Sequence, residues 1–332
     1  VLLGGAATTV ALGLAGCASS PHRSAPTPTG GPDGSASPGP SPSGSPAPGS
    51  PSTAPAPVLP VTTPWQPSSN DVDPQVKQRA VSLIEALGAW PAGGRGAAAA
   101  RARVSALGLD PGLVDQAGAT LLGGAPQAAL QVLEAQYGGI LADSASVLVV
   151  CRQWTLGPNG QVVPGGTTVD VRLSQARPLW TVTALHPAQP GPASAALPAA
   201  ARQVLASSVI TLPPAARADV LSGAIHDSAL QALLTLSGRY RLELSVVRSG
   251  HPIDVFGTTR PSDHPLGRAF DVWRIDGHAV VDPATSHSLV DTFMRAAAAV
   301  GSYNVGGPRQ LSGAAFFSDN THHDHVHVGF DF

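Results

Sequence analysis

The stretch Ser262-Asp263-His264-Pro265-Leu266-Gly267-Arg268-Ala269-Phe270-Asp271 carries both the fold and the chemistry of this chain. Residues 269–275 read as a strand, on which Ala269 and Asp271 point to one face and Phe270 to the other. Gly267 permits a tight turn before it, so a loop folding back brings His264 beside Asp271. Near the C-terminus, Asp324-His325-Val326-His327-Val328 opens a second strand, 324–330, whose alternation puts His325 and His327 on one face. Val326 and Val328 then enter the core. Paired beside the first strand, it assembles two imidazoles and a carboxylate. Those are ligands of the number and type that hold a catalytic zinc with one position left for water.

Eight of the 11 histidines lie after residue 250, a concentration of the commonest metal ligand. A zinc ion at such a site lowers the pKa of water toward about 7 and polarises a carbonyl oxygen. His325, near the metal but not needed as a ligand, is the first candidate for general base or for holding the tetrahedral intermediate. Asp324 is the competing base: it faces away on a regular strand and turns inward only through a bulge. His322 and His323 read as rim residues, and Trp273 as a strand aromatic of the core. His251, His278 and His287 receive no role.

The pattern Ser-x-His-x-x-Gly-x-Ala-x-Asp over 262–271 resembles, at every fixed position, the zinc D-alanyl-D-alanine carboxypeptidases and dipeptidases of the VanX and VanY type. These group with lysostaphin-like endopeptidases, the penicillin-insensitive murein endopeptidase and hedgehog signalling domains. The resemblance covers about 130 residues and nothing before about 200. It implies a small α+β fold with an antiparallel sheet, and zinc held by His264, Asp271 and His327. The closing His-x-His is similar to the lysostaphin and murein-endopeptidase form, in which the first His assists catalysis. Asp324 to His327 has instead the spacing of the carboxypeptidases' Glu-x-x-His, with a shorter acid. One departure matters: the family often carries Ser-Gly-Tyr-Arg upstream, and here the residues are Ser249-Gly250-His251-Pro252. Arg248 and Arg260 are the candidates to replace that Arg at a carboxylate or oxyanion.

The remainder of the chain reads differently. Val1 to Leu14 is apolar and Leu14-Ala15-Gly16-Cys17 resembles a bacterial lipobox, so residues 1–17 read as a truncated lipoprotein signal with Cys17 as the lipidation site. An exported, membrane-anchored lipoprotein follows from that reading. Residues 18–70 are mostly Pro, Ser, Gly, Ala and Thr, too poor in apolar side chains to offset ordering entropy, and read as a disordered tether. Asp73-Pro74 starts a helix, with Asp73 as N-cap and Val76, Ala80, Leu83, Ile84 and Leu87 at helical spacing. Helices are expected at 97–107, 111–117 and 126–137, then strands at 147–155, 167–173 and 179–185. Residues 71–188 thus form a small α+β module without a catalytic constellation, open to a protein-partner role. After a Pro/Ala linker at 187–198 come helices at 199–207, 214–223 (Asp227 capping the next) and 228–237. A strand at 239–247 and a helix at 287–300 complete a zinc peptidase-like domain over 199–332. Cys151, in an apolar run, reads as an inert core thiol.

Net charge is -2 and charged residues make up 12% of the chain, with Lys77 the sole lysine, so a polybasic surface for nucleic acid is excluded. No His-Glu-x-x-His helix, Gly-x-Ser-x-Gly elbow or phosphate-binding glycine loop occurs. Pro74 stands three residues before Lys77, which removes the Ser-x-x-Lys chemistry. The expected activity is zinc-dependent hydrolysis of peptidoglycan peptides, of D,D-carboxypeptidase or endopeptidase type. The alternative is a non-catalytic zinc-containing lipoprotein domain that binds cell wall or protein.

Overall fold

A computed structural model describes residues 58–332. The signal segment, Cys17 and most of the expected tether lie outside the described residues. The last part of that tether is not disordered as expected. The Thr63 backbone exchanges hydrogen bonds of 2.8 and 2.9 Å with the Gln131 side chain, and Trp65 packs on the adjacent core. Trp65 N–H also donates to Glu85 at 3.3 Å and the Ser68 hydroxyl to Val281 O at 3.2 Å.

The first helix, α1 (Pro74–Gly88), begins where the sequence placed it, with Pro in its first turn. Asp73, however, is left-handed (φ 41°) and its side chain does not cap the helix. Helix α2 (Ala97–Ala106), a 3-10 turn (Pro111–Gln116) and α3 (Gly118–Leu122) follow. Four strands then make an antiparallel sheet in sequence order: β1 (Ala128–Ile140), β2 (Ser144–Leu156), β3 (Val162–Ser174) and β4 (Thr181–Pro187). Leu83, Ile84 and Leu87 of α1 bury against Leu130, Val147 and Val169 of this sheet. Each such side chain contributes about 1.5–3 kcal/mol.

Strand β1 replaces the helix expected at 126–137. Its pairing with β2 carries a register shift between Val132 and Glu134. The extra residue moves the core positions to Leu130, Val132, Ala135 and Tyr137, a spacing of two, three and two that interrupts strict alternation. Pairing with β2 along its length overrides the helix propensity of Ala, Leu, Gln and Glu.

The second half forms a mixed sheet in the order β10-β9-β11-β7-β6-β5, with β8 paired to β7. Its strands are β5 (Ile210–Thr211), β6 (Leu242–Leu244), β7 (Ala269–Ile275), β8 (His278–Ala279), β9 (Asn304–Gly306), β10 (Phe316–Phe317) and β11 (Val326–Gly329). The central pairs are antiparallel as expected. The outer pairs, β5 with β6 and β9 with β10, are parallel, so the sheet is not purely antiparallel. Helices α4 (Ala199–Ala206), α5 (Pro214–Ser222), α6 (Asp227–Ser237) and α7 (His287–Ala299) enclose a core that includes Leu233, Phe270, Phe293 and Val328. His226, not Asp227, is the N-cap of α6, its ring accepting from Ser228 N–H. The chain is therefore of mixed α+β class. Its described residues belong to one compact unit with two large hydrophobic cores. A small third cluster, Leu148, Val150 and Val246 with Leu133, joins the outer face of the first sheet to the second half.

Gly139 of β1 tests that junction. A Cβ there would lie 2.1 Å from Phe256 Cβ, in the loop over residues 251–260. Gly139→Val is expected to cost about 1–3 kcal/mol by overpacking and to displace this loop. Thermal melts and tryptic cleavage near Arg260 would read both effects; an unchanged melt and digestion pattern would contradict the packing described.

Candidate metal centre

β11 pairs antiparallel with β7, and the register sets His327 directly opposite Asp271. Side chains of such a pair project from one face within contact distance. The turn before β7 supplies the third group. Gly267 N–H donates to His264 O at 2.8 Å and Gly267 has φ +71°, with Ala224 O only 2.2 Å from where a Cβ would be. Only glycine fits this close left-handed passage, and it returns His264 over β7.

The three side chains converge. His264 Nε2 lies 3.1 Å from Asp271 Oδ1 and 3.1 Å from His327 Nδ1, and His327 Nδ1 lies 3.1 Å from Asp271 Oδ1. Ligand atoms at about 2.0–2.1 Å from a tetrahedral zinc are spaced about 3.3 Å apart. His264 Nδ1 is 2.9 Å from Val247 O, so it carries the proton and leaves Nε2 with a lone pair toward the triangle. A carboxylate oxygen and two imidazole nitrogens thus face one another in a buried space, the arrangement a cation satisfies.

Asp271 lies well below the usual carboxylate range: burial pushes its pKa up, but His264 and then His325 outweigh this. For His264 burial opposes the charged ring, yet Asp271 raises the pKa above its ordinary value. His327 is lowered to about 4, chiefly by burial, with Asp271 opposing. The ring most readily neutral is the one opposite the carboxylate.

His251, given no role from sequence, also reaches this place. It offers a ligand atom within 4.8 Å of those of His264 and Asp271. Its ring stacks on His264 with centroids 4.1 Å apart and planes inclined by 19°. An imidazole binds a metal along its in-plane lone pair, and one ion cannot lie in two nearly parallel planes. The 3.1 Å triangle through His327 is therefore the better ligand set, with His251 as a wall beside it. Its place in the sequence, where the resembling family carries Tyr, was the available signal.

His325 precedes β11 and stands outside the triangle. Its Nδ1–H donates to Asp324 Oδ1 at 2.6 Å, and its Nε2 faces Asp271 Oδ2 at 3.8 Å. Asp324 is turned inward, but it is fully engaged: Oδ2 pairs with Lys77 Nζ at 2.6 Å and accepts from Tyr137 N–H at 3.2 Å. Burial pushes the Asp324 pKa up, and Lys77 and His325 more than reverse that, leaving a very weak base. His325 is raised, since Asp271 and Asp324 outweigh the burial of its ring. Asp324 thus holds the His325 ring on one oxygen and the Lys77 ammonium on the other.

Asp71, His323 and Asp324 form a second group of metal-ligand type. Lys77 already fills it, bonded to both Asp71 and Asp324, so an ammonium supplies the positive charge. Neither this lysine nor Gln136, whose Nε2 donates to Asp271 Oδ2 at 2.6 Å, carries a local signal for such a place. Both come from the half that showed no catalytic constellation.

A cleft of about 630 Å³ opens on the triangle, lined by His251, Arg260, Phe317, His322 and His327 and walled by Gly138 to Leu141 of the first sheet and the following turn. Arg260 thus faces the site. Arg248 does not line the cleft; its guanidinium reaches Pro190 O at 3.5 Å and its backbone N–H donates to Asp219. His322 is at the cleft rim, bonded to Asp319, whereas His323 accepts from Val72 N–H at 3.0 Å. Trp273 lies outside the cleft with Arg274 stacked on it. Cys151 is buried and its thiol is pushed up to about 12 by burial. Among the described residues no helix is long and apolar enough to cross a membrane. Searches of family models, of curated proteins and of solved structures find nothing that matches the chain.

Glu134, beside the Lys77 cluster, is raised to about 7, mainly by burial, with Lys77 opposing. Its folded-state pKa exceeds its unfolded value, so its contribution to stability is complete below about 4.5 and is lost as pH rises through about 7. Glu134→Gln is expected to remove that dependence and to stabilise the protein at pH 8 by roughly 2–3 kcal/mol. Urea unfolding at pH 4.5 and pH 8 would measure it; an equal change at both values would contradict the assignment.

Proposed function

We propose that the chain is a zinc-dependent peptide hydrolase. His264, Asp271 and His327 hold the ion, and the substrates are peptides of bacterial peptidoglycan. The observation that carries the reading is the 3.1 Å triangle of ligand atoms, whose His327 lines an open cleft. Zinc supplies Lewis acidity, acidifying water toward a pKa of about 7 and polarising a carbonyl oxygen.

The chain's own residues supply the rest. His325, oriented by Asp324, presents Nε2 to the site and can take a proton from water and return it to the leaving amine. Arg260 offers a guanidinium in the cleft to a substrate carboxylate or oxyanion. The peptidoglycan assignment rests on the resemblance of residues 262–271 to the D-alanyl-D-alanine peptidases and on the lipobox-like residues before Cys17. That sequence also implies anchoring outside the cytoplasm. The second reading, a zinc-containing binding domain, is favoured by one observation: Pro252 stands where the family carries Arg, and Arg248 turns toward Pro190.

Two measurements separate the readings. Purified protein is expected to hold one zinc per chain by elemental analysis, and His264→Ala to hold none. Isolated peptidoglycan is expected to release new amino and carboxyl termini with the wild type. His325→Ala should retain zinc but lose about 10²–10⁴-fold in rate. Stoichiometric zinc with no product from the wild type would leave only the binding domain.

A further inference from the structure

We propose that the first α+β half completes the metal centre: Gln136 positions Asp271, and Lys77, acting through Asp324, positions His325. The Lys77 part rests on the hydrolase reading; the Gln136 part requires only the three ligands.

Gln136 is fully buried, and its carboxamide can be oriented in only one way. Facing a carboxylate, the amide must present NH₂, which donates to Asp271 Oδ2 at 2.6 Å. Its oxygen then accepts from the Ser245 hydroxyl, while Ser245 N–H donates to the Asp271 carbonyl at 3.1 Å. With Oδ2 so engaged, Oδ1 alone faces the two imidazoles, which fixes Asp271 as a one-oxygen ligand. Register shifts between Val132 and Glu134 and between Tyr137 and Gly139 flank Gln136. They re-aim this part of β1, as bulges beside sites do. The bond crosses from one sheet to the other, 135 residues along the chain.

Lys77 is the chain's one lysine and has no exposed surface. It bonds Asp71 and Asp324, and Tyr137 N–H adds a second hold on the same Asp324 carboxylate. Asp324 in turn fixes the His325 ring through Nδ1, leaving Nε2 toward the ligands. Burying such a charge cluster stabilises a fold no better than apolar residues of the same volume. Its return is geometric: a rigid chain of contacts from α1 to one imidazole.

The test uses the full chain and four variants: Gln136→Leu, Lys77→Met, Lys77→Arg and, as a control on the same strand, Gln131→Leu. Apo protein is titrated with Co²⁺, whose visible absorption reports ligand geometry and affinity without catalysis. Melting temperature and the kcat and KM of peptidoglycan-peptide cleavage are measured alongside. Gln136→Leu is expected to weaken Co²⁺ binding about 10–100-fold and to shift its absorption bands, whereas Gln131→Leu leaves both as in the wild type. Lys77→Met is expected to bind Co²⁺ like the wild type, yet to lose roughly tenfold or more in kcat at unchanged KM. Lys77→Arg should recover part of that loss.

Wild-type affinity and spectrum in Gln136→Leu would overturn its positioning role, whatever the melting temperature. Undiminished kcat in Lys77→Met would overturn that of the lysine. Should Lys77→Met not fold, the triple variant Lys77→Met/Asp71→Asn/Asp324→Asn removes both carboxylate charges left unpaired. A kcat in it no lower than that of the wild type has the same meaning. A wild type that binds Co²⁺ but cleaves nothing overturns the hydrolase reading and the Lys77 part with it, while the Gln136 part is still decided by absorption. A wild type that binds no Co²⁺ overturns both.

Discussion

Three groups of metal-ligand type, drawn from separate elements to one buried point, set the character of this protein. An imidazole nitrogen from a turn, a carboxylate oxygen from β7 and an imidazole nitrogen from β11 meet at 3.1 Å in a buried space. Acceptors brought so close repel unless a proton or a cation lies between them. The rest of the second half serves to hold that meeting. The β7–β11 register sets two of the groups opposite each other, and the passage at Gly267 returns the third. The site is therefore a property of sheet register and one left-handed turn, not of a flexible loop.

The junction between the two halves is of a different kind. Its apolar part is small, centred on Leu148, Val150 and Val246. Its polar part is extensive and buried: Gln136 with Asp271, and Lys77 and Tyr137 with Asp324. Polar contacts across such a face are directional, so they fix angle and register where apolar packing alone would tolerate sliding. The cleft wall is shared in the same way. Gly138 and Gly139 let the 251–260 loop lie directly on β1, and a side chain at either would meet Pro252 or Phe256.

Asp324 shows how environment divides work between neighbouring residues of one short motif. By spacing it could serve as the acid of a Glu-x-x-His arrangement. Lys77 and the His325 ring hold its carboxylate ionised and occupied. His325, one residue on, keeps a free nitrogen toward the ligands. The same two residues on a chain without Lys77 would have their roles open.

Much of the second half was legible in the sequence because its signals are local. Strand β7 begins at Ala269 as the alternation requires, helix α7 begins at His287, and the His264/Asp271/His327 grouping follows from one turn and two strands. Strand β1 was not legible, since a bulge interrupts its alternation and its residues favour helix. Strand β6 is shorter than the pattern suggests because residues 239 and 240 still close the end of α6. Arg248 and Arg260 could not be told apart by spacing; only the path of the 248–260 loop puts one in the cleft and sends the other toward Pro190. Sequence by itself thus determined which side chains meet across adjacent strands, because strand period and turn chemistry act over a few residues. Only the tertiary structure decided what surrounds them. Lys77 and Gln136 reach the site through packing between segments that share no local pattern, and long-range contact leaves no periodic trace in a single chain.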